Sequence, residues 1–218
     1  MRSSVTILPI LSILMAAALL GACAAKGPCP PGSASAMTSP PPDWRDMITD
    51  PDHVRVRGWR ASFVTALDQA RKDGHGAEID AAGPLLDPDV ALDGATLPPG
   101  PYRCRTIKLG SKAAGRPTYI AFPAYGCTVR PSDTILRLIQ NEGVQRPSGR
   151  LFPDGPSRMI FLGTMALSDE PAPIKYGRDV DRDLAGPVQR VGEGRWRLLL
   201  PSPAWGSTMD VMEITPAG

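Results

Sequence analysis

Residues 102–129 constrain the fold of this chain more than any other stretch. They contain two short apolar runs that carry one cysteine each, Cys104 and Cys127. Apolar and polar residues that alternate over such short runs are typical of β-strands. We therefore predict strands at 102–109 and 118–129, the second broken at Pro123, because proline cannot donate to a sheet ladder.

The period-two pattern continues through the rest of the chain. Proline and glycine, 25 and 22 of the 218 residues, favour many turns and short elements. The longest apolar run, 158–167, is apolar on both faces, which predicts a central or covered strand, and Gly163 in its middle predicts a bend or bulge. Further strands are predicted at 133–140, 150–152, 186–191, 195–200 and 209–214.

A helix is predicted before the strands. Asp50 and Pro51 are typical of a helix start, apolar side chains follow at spacings of three and four up to Ala70, and Gly74 is expected to end the helix. Such a stripe indicates a helix that packs on a core.

These patterns predict an α+β fold. One N-terminal amphipathic helix would pack on an antiparallel, barrel-like sheet of about seven to nine short strands, with a sandwich as the alternative. The globular domain is expected at 43–216, divided into a helical arm, 43–100, and a β domain, 101–216. Residues 76–100 are rich in turn-forming residues and are expected to wrap around the surface, held by Leu85, Leu86 and Leu92.

The N-terminus has the features of an export signal. Residues 1–22 contain Arg2 and then an apolar segment too short to span a bilayer. The sequence Leu-Gly-Ala-Cys that ends at Cys23 resembles the lipobox of bacterial lipoproteins, in which the thiol carries a diacylglycerol. We predict lipidation at Cys23; the alternative is an ordinary signal peptide.

The residues after Cys23 indicate where the protein resides. By resemblance to lipoproteins of diderm bacteria, Ala24 favours the periplasmic face of the outer membrane. Residues 23–42 are rich in proline, serine and alanine and are predicted to be a tether between the lipid and the domain.

Cys104 and Cys127 are predicted to form a disulfide. Disulfides persist in the oxidising environment that an exported chain would meet. This bond would close a loop of 24 residues and would add about 3 kcal/mol to the free energy of unfolding in the chain-entropy model. Two buried free thiols are the alternative. Cys29 is a third candidate for pairing.

Charge is distributed unevenly along the chain. Residues 101–200 hold 16 Lys and Arg against 9 Asp and Glu, whereas 23–100 hold 7 against 11. This favours either an acidic arm docked on a basic body or an anionic partner such as an envelope lipid, glycan or protein. No dense Lys/Arg run indicates nucleic acid. The candidate anion-binding residues are Arg137, Arg146, Arg150, Arg158 and Arg178.

No catalytic motif stands out. His53 and His75 lack partners at metal-ligand spacing, so no metal site is predicted. Asp179, Asp181 and Asp183 alternate as in a calcium loop, but Leu184 stands where such a loop needs glycine. We therefore predict no catalytic residues and no cofactor.

Several separate motifs resemble one bacterial family. Its name is domain of unknown function 4893, and the similarity covers about residues 43–216. The resemblance implies a small exported or lipid-anchored envelope protein and implies no activity. The motifs are YRCRTIKLG, QRPSGRLFPD, FLGTMAL, YGRDVDRDLAG and RWRLLLPSPAW.

Three functions remain open at this point. The first is a non-enzymatic binding or interaction module of the cell envelope, which a filled core with a surface patch would favour. The second is a lipocalin-like carrier of a small ligand, which a deep apolar cavity would favour. The third is a periplasmic hydrolase, which polar side chains close together in a pocket would favour.

Overall fold

The computed structural model describes residues 42–218. They form nine β-strands, three α-helices and two short 3-10 helices at Trp44–Asp46 and Gly83–Leu86. The α-helices are α1 (Asp50–Arg57), α2 (Trp59–Lys72) and α3 (Gly76–Ala82). The strands are β1 (Gly100–Leu109), β2 (Tyr119–Ala121), β3 (Tyr125–Ser132), β4 (Ile135–Gln140), β5 (Gln145–Pro153), β6 (Met159–Leu167), β7 (Asp183–Gly192), β8 (Arg195–Pro201) and β9 (Met209–Pro216).

Eight of the strands form a closed antiparallel barrel. Each of β3 to β8 pairs with the next strand in sequence, and β1 pairs with β3. Strand β9 pairs with β1 along its length, from Tyr102 opposite Pro216 to Leu109 opposite Met209. Closure leaves no free sheet edge around the ring. The predicted antiparallel, barrel-like sheet is confirmed, and the sandwich alternative is wrong.

Strand β1 shares its second edge between two partners. Its first half pairs with β3 and its last three residues pair with β2, so β2 is the additional strand outside the ring. The predicted break at Pro123 separates β2 from β3. Cys104 on β1 and Cys127 on β3 form the predicted disulfide, with their Cα atoms 5.9 Å apart.

The pairing of β6 with β5 and with β7 continues without a register shift across Gly163, so of the predicted bend or bulge the bulge is wrong. Gly163 lies directly opposite Gly149 on β5, and the Phe161 ring covers both glycines. A Cβ atom on either residue would lie about 2.6 Å from the other's Cα or from this ring. These glycines therefore allow close strand approach under an aromatic ring.

The predicted single helix is two helices. Gly58 separates α1 from α2, and its carbonyl accepts a hydrogen bond from Ser62 at 3.1 Å, which starts α2. The turn-rich segment 76–100 also contains α3 and the second 3-10 helix, which the sequence analysis did not predict. Leu85 and Leu86 are buried as expected, whereas Leu92 is exposed.

The outer surface of the barrel is partly covered. One buried cluster combines Phe63 and Ala66 of α2 with Ile107 of β1 and Leu199 of β8. Another combines Val56 of α1 with residues of β5, β6 and β7. Strand β6 therefore lies between the barrel interior and a covered exterior, which explains why both of its faces are apolar.

Arg197 holds the segment after α3 against β8. Its side chain is completely buried, and its guanidinium lies 5.3 Å above the Phe63 ring. Burial lowers its pKa to about 10, although Asp87 and Asp89 oppose that shift. The group donates to Gln189 Oε1 and to the carbonyl oxygens of Pro84, Leu85, Asp87 and Val90.

The targeting segment 1–22 and almost all of the tether 23–42 lie outside the described residues, together with Cys23 and Cys29. Within 42–218, no helix is both long enough and apolar enough to cross a bilayer.

Candidate functional site

One end of the barrel is closed by the segment that precedes β1. Ala95 and Leu97 are buried in the interior cluster with Leu138, Leu151 and Met159. The Gly94 amide donates to the Pro156 carbonyl at 2.9 Å and the Tyr102 hydroxyl donates to the Pro98 carbonyl at 2.7 Å. This half of the barrel is therefore filled by side chains.

The other end contains a cavity of about 400 Å³. Because alternate residues of a strand face the same side, Thr106 and Lys108 point inward with Cys104, and Asp210 points inward with Met212. The barrel is thus a cup that is plugged at one end and open at the other. The cavity is lined by Thr106, Lys108, Ile120, Phe122, Tyr125, Gln140, Val144, Gln145, Pro147, Met165, Leu200 and Asp210.

A buried ion pair supplies charge inside the cup. Lys108 Nζ lies 2.8 Å from Asp210 Oδ2, and the side chains are 12% and 3% exposed. The Ser207 hydroxyl donates to the other oxygen of Asp210. The side-chain amide nitrogen of Gln140 is not free to bind a ligand, because it donates to the carbonyl oxygens of Glu142 and Gln145.

The mouth of the cup is apolar. Ile120, Phe122 and Val144 are among the few large hydrophobic side chains that are well exposed in the described residues, and all three line this cavity. Val144 is 68% exposed. Exposed apolar side chains gathered around a pocket mark a place where an apolar molecule enters or docks.

Residues 44–214 match the family described as a domain of unknown function (DUF4893). The chain belongs to this family. The DUF4893 match covers the barrel, its plug and the helices around it, and the predicted resemblance is confirmed. No curated protein and no solved structure matches the chain. The family description assigns no activity to the cup.

Two of the five predicted arginines of the DUF4893 domain are held internally. Arg146 donates to the carbonyl oxygens of Gly143, Ser168 and Glu170. Arg158 forms an ion pair with Asp154. The planar guanidinium groups of both arginines therefore bind groups of neighbouring turns and are not free for an external anion.

A second pocket brings two of the others together. Arg137 and Arg150 line a concavity of about 410 Å³ on the outside of the DUF4893 barrel, with Ser148 and Lys175. Burial lowers the pKa of Arg137, and the charges of Arg130 and Arg150 lower it further. Arg178 is exposed and does not line this pocket. The structure therefore does not assemble all five arginines into one site.

The carboxylates of the acidic arm form their ion pairs within the arm. Among the described residues, no ion pair joins a carboxylate of 43–100 to a cation of 101–200. Asp89 and Asp80 pair with Arg60 and Arg71 of the arm itself. In the described part of the chain, direct ion pairs therefore do not join the carboxylates of the arm to the cations of the body, although the charges of Asp87 and Asp89 favour the charged form of Arg197.

A buried polar cluster holds α1 against the loop before β7. The Tyr176 hydroxyl donates to Asp52 Oδ2 at 2.6 Å and accepts from the Thr49 amide at 3.2 Å. Arg55 Nε lies 3.0 Å from Asp52 Oδ1. Burial and the bond to Asp52 raise the pKa of Tyr176. The phenol therefore stays protonated and acts as a fixed donor.

Sequence reasoning missed three residues of these two pockets and the arginine row beside them: Lys108, Asp210 and Arg130. Lys108 and Asp210 occupy interior positions of β1 and β9. The signal for them is a charged residue on the strand face that otherwise carries buried residues such as Cys104 and Met212. Arg130 joins Arg137 and Arg150 only through strand register. The described histidines take no part in either pocket: His75 lies 3.2 Å from Glu78 and stacks on Tyr119.

Proposed function

We propose that this protein is a non-enzymatic carrier of a small amphipathic molecule in the bacterial cell envelope. The observation that carries the proposal is the cup, a barrel plugged by Leu97 at one end and open to a cavity of about 400 Å³ at the other. Cavities of about 300–1,000 Å³ with apolar walls and few polar groups are typical of small-ligand sites.

The chemistry of the cup favours an amphipathic ligand. Met165, Leu200 and Pro147 provide apolar wall, and the exposed Phe122 and Val144 extend it to the mouth. The Lys108–Asp210 pair offers one donor and one acceptor group at fixed positions. A ligand with an apolar body and one polar group would satisfy both, because buried polar atoms need partners.

Lipidation at Cys23 would place this cup at a membrane surface. The proposal rests on the Leu-Gly-Ala-Cys sequence alone. Two or more acyl chains on one N-terminus give stable anchoring, whereas one chain is marginal. A tethered cup would then exchange its ligand with the membrane or with the periplasm, and the proposed site is the periplasmic face of the outer membrane.

The proposal is tested by ligand recovery and by blocking the cup. Full-length protein purified from membranes in mild detergent is extracted with organic solvent, and the extract is analysed by mass spectrometry. The recovered molecule should displace N-phenyl-1-naphthylamine, a neutral fluorophore, from the protein. Thr106→Trp, which fills the cavity, should abolish fluorophore binding.

Val180→Trp is the matched control, because Val180 is 56% exposed and does not line the cavity. Circular dichroism shows whether both variants fold. If folded Thr106→Trp binds the fluorophore as the wild type does, the carrier proposal is wrong. Unimpaired displacement in Val180→Trp would support it.

A further inference from the structure

Three arginines lie side by side on the outside of the barrel. Arg130 on β3 is directly opposite Arg137 on β4, and Arg137 is directly opposite Arg150 on β5. Like charges at directly opposed positions of neighbouring strands destabilise a sheet. The repulsion within such a row lowers the stability of the sheet unless a group of opposite charge lies beside it.

The neighbouring protein groups do not offset it. Within 42–218, no ion pair includes Arg130, Arg137, Arg150 or Lys175, although Arg158 and Arg182 are both paired. One carboxylate, Asp133, lines the pocket beside these cations. Counting Arg137, Arg150 and Lys175 against Asp133, the pocket retains a net positive charge.

Arg137 also has unused hydrogen-bonding capacity. Its Nε atom is buried and has no partner among the described residues. Its Nη2 atom donates to the Ser148 hydroxyl over a long 3.4 Å. A buried donor without an acceptor is destabilising, and satisfied donors are the rule in native proteins. Arg150 is partly held by the Phe152 ring, 5.5 Å from its guanidinium carbon.

The floor and one wall of the pocket are fixed. Ser148 and Thr164 are buried beneath it, and the Thr164 hydroxyl donates to the Ile174 carbonyl at 2.9 Å. Tyr176, which lines the same pocket, is held by Asp52. This pocket and the cup share no lining residue. It is therefore a separate site.

We propose that this pocket binds a phosphate group, through Arg137 and Arg150 with Lys175 at its edge. The planar forks of two arginines match the oxygens of a phosphate. Bound phosphate would offset the repulsion along the row and supply an acceptor to Arg137. The group is free phosphate or the phosphodiester headgroup of a membrane lipid, and both present the same oxygens.

The test titrates the full-length protein with orthophosphate and, separately, with glycerophosphoglycerol, a lipid headgroup without acyl chains. Ionic strength is held constant with chloride, because salt screens exposed charges. Calorimetry and the thermal midpoint are the readouts. Arg137→Gln and Arg150→Gln should each weaken binding about tenfold or more, since a charge-assisted bond is lost.

Arg178→Gln is the matched control. It removes the same charge from an exposed position outside the pocket and should leave affinity unchanged. In chloride alone, Arg137→Gln should be at least as stable as the wild type, because repulsion in the row is relieved. This stability measurement tests the repulsion within the arginine row without relying on a binding assay.

Each outcome decides the proposal. Tighter binding of orthophosphate identifies free phosphate as the source, and tighter binding of glycerophosphoglycerol identifies a lipid headgroup. The proposal is overturned if neither binds at millimolar concentration, if Arg137→Gln binds like the wild type, or if Arg178→Gln weakens binding equally. The carrier proposal is unaffected by any of these results, because it concerns the cup.

Discussion

The ammonium of Lys108 and the carboxylate of Asp210 lie 2.8 Å apart at directly opposed positions of β1 and β9, inside the barrel. Removal of one partner leaves an unpaired charge at a buried position. We expect Lys108→Met to lower the free energy of unfolding by about 3 kcal/mol. The double change Lys108→Met with Asp210→Leu should cost clearly less. Urea unfolding measures both, and equal losses would contradict the prediction.

The Cys104–Cys127 disulfide closes a short loop between β1 and β3. Replacement of both cysteines by alanine should lower the free energy of unfolding by about 3 kcal/mol, because the unfolded chain gains freedom. Denaturant midpoints under oxidising conditions give the value. Cys29→Ala serves as the control and should leave the midpoint unchanged. Alkylation of Cys104 and Cys127 in the untreated protein would show that the bond is absent.

Lipidation at Cys23 predicts a simple change of location. Cys23→Ser should move the protein from the membrane pellet to the periplasmic fraction, because the acyl chains supply the membrane affinity. Fractionation with immunoblotting measures this, and labelling with a fatty acid analogue checks the modification. A variant that stays in the pellet, with a wild type that takes no label, would rule out the anchor.

Arg197 is expected to be among the most sensitive positions. Arg197→Met leaves four carbonyl oxygens of the segment 84–90 without their donor and should cost at least about 3 kcal/mol. Arg197→Lys should not restore stability, because an ammonium cannot reproduce the planar fork. Hydrogen exchange should show faster opening of this segment. The control is Arg178→Met, for which little change is expected.

The raised pKa of Tyr176 predicts that the free energy of unfolding falls at alkaline pH. Burial and the hydrogen bond to Asp52 raise the pKa of its phenol in the folded protein, so the unfolded chain loses this proton first, near pH ~10. The stabilising contribution is complete below that pH and decreases as the pH rises towards the folded pKa.

Tyr176→Phe should therefore flatten the decline of the free energy of unfolding between about pH 9 and about pH 11. Part of the decline should remain, because burial also raises the pKa of Tyr102. Urea titrations at a series of pH values measure the slope. Identical slopes in the wild type and the variant would show that Tyr176 does not contribute.

Strand positions could be predicted because each strand carries its own period-two signal. The run 158–167 differs from β6 by one residue at its start. Only 150–152 of strand β5 is predicted from the sequence, and the strand extends back to Gln145 through Pro147 and Gly149, two residue types that are unusual within a strand. The sequence could not show that Gly149 and Gly163 face each other under Phe161, since that contact depends on register.

The sequence favours a barrel-like sheet but does not distinguish it from a sandwich, and it does not locate the cup, because both depend on the pairing of β1 with β9. Local alternation is the same for a strand of a barrel and for a strand of a sandwich. Lys108 and Asp210 are 102 residues apart, and nothing near either residue indicates the other. Arg130 was missed for the same reason, whereas Arg137 and Arg150 belong to the predicted anion-binding set. Of the five predicted arginines, only Arg137 and Arg150 line one pocket, because the register of β4 and β5 places them at opposed positions.

The seam between β1 and β9 also has a consequence for how this chain reaches its native state. Leu109 and Met209 become neighbours only after all the intervening strands have emerged, and long-range pairing of this kind makes folding slow. The barrel would therefore remain open until β9 is available, although the hairpins of successive strands and the loop between Cys104 and Cys127 can form earlier. A chain shortened before β9 would be left with two unpaired sheet edges, on β1 and β8, and with a tendency to aggregate.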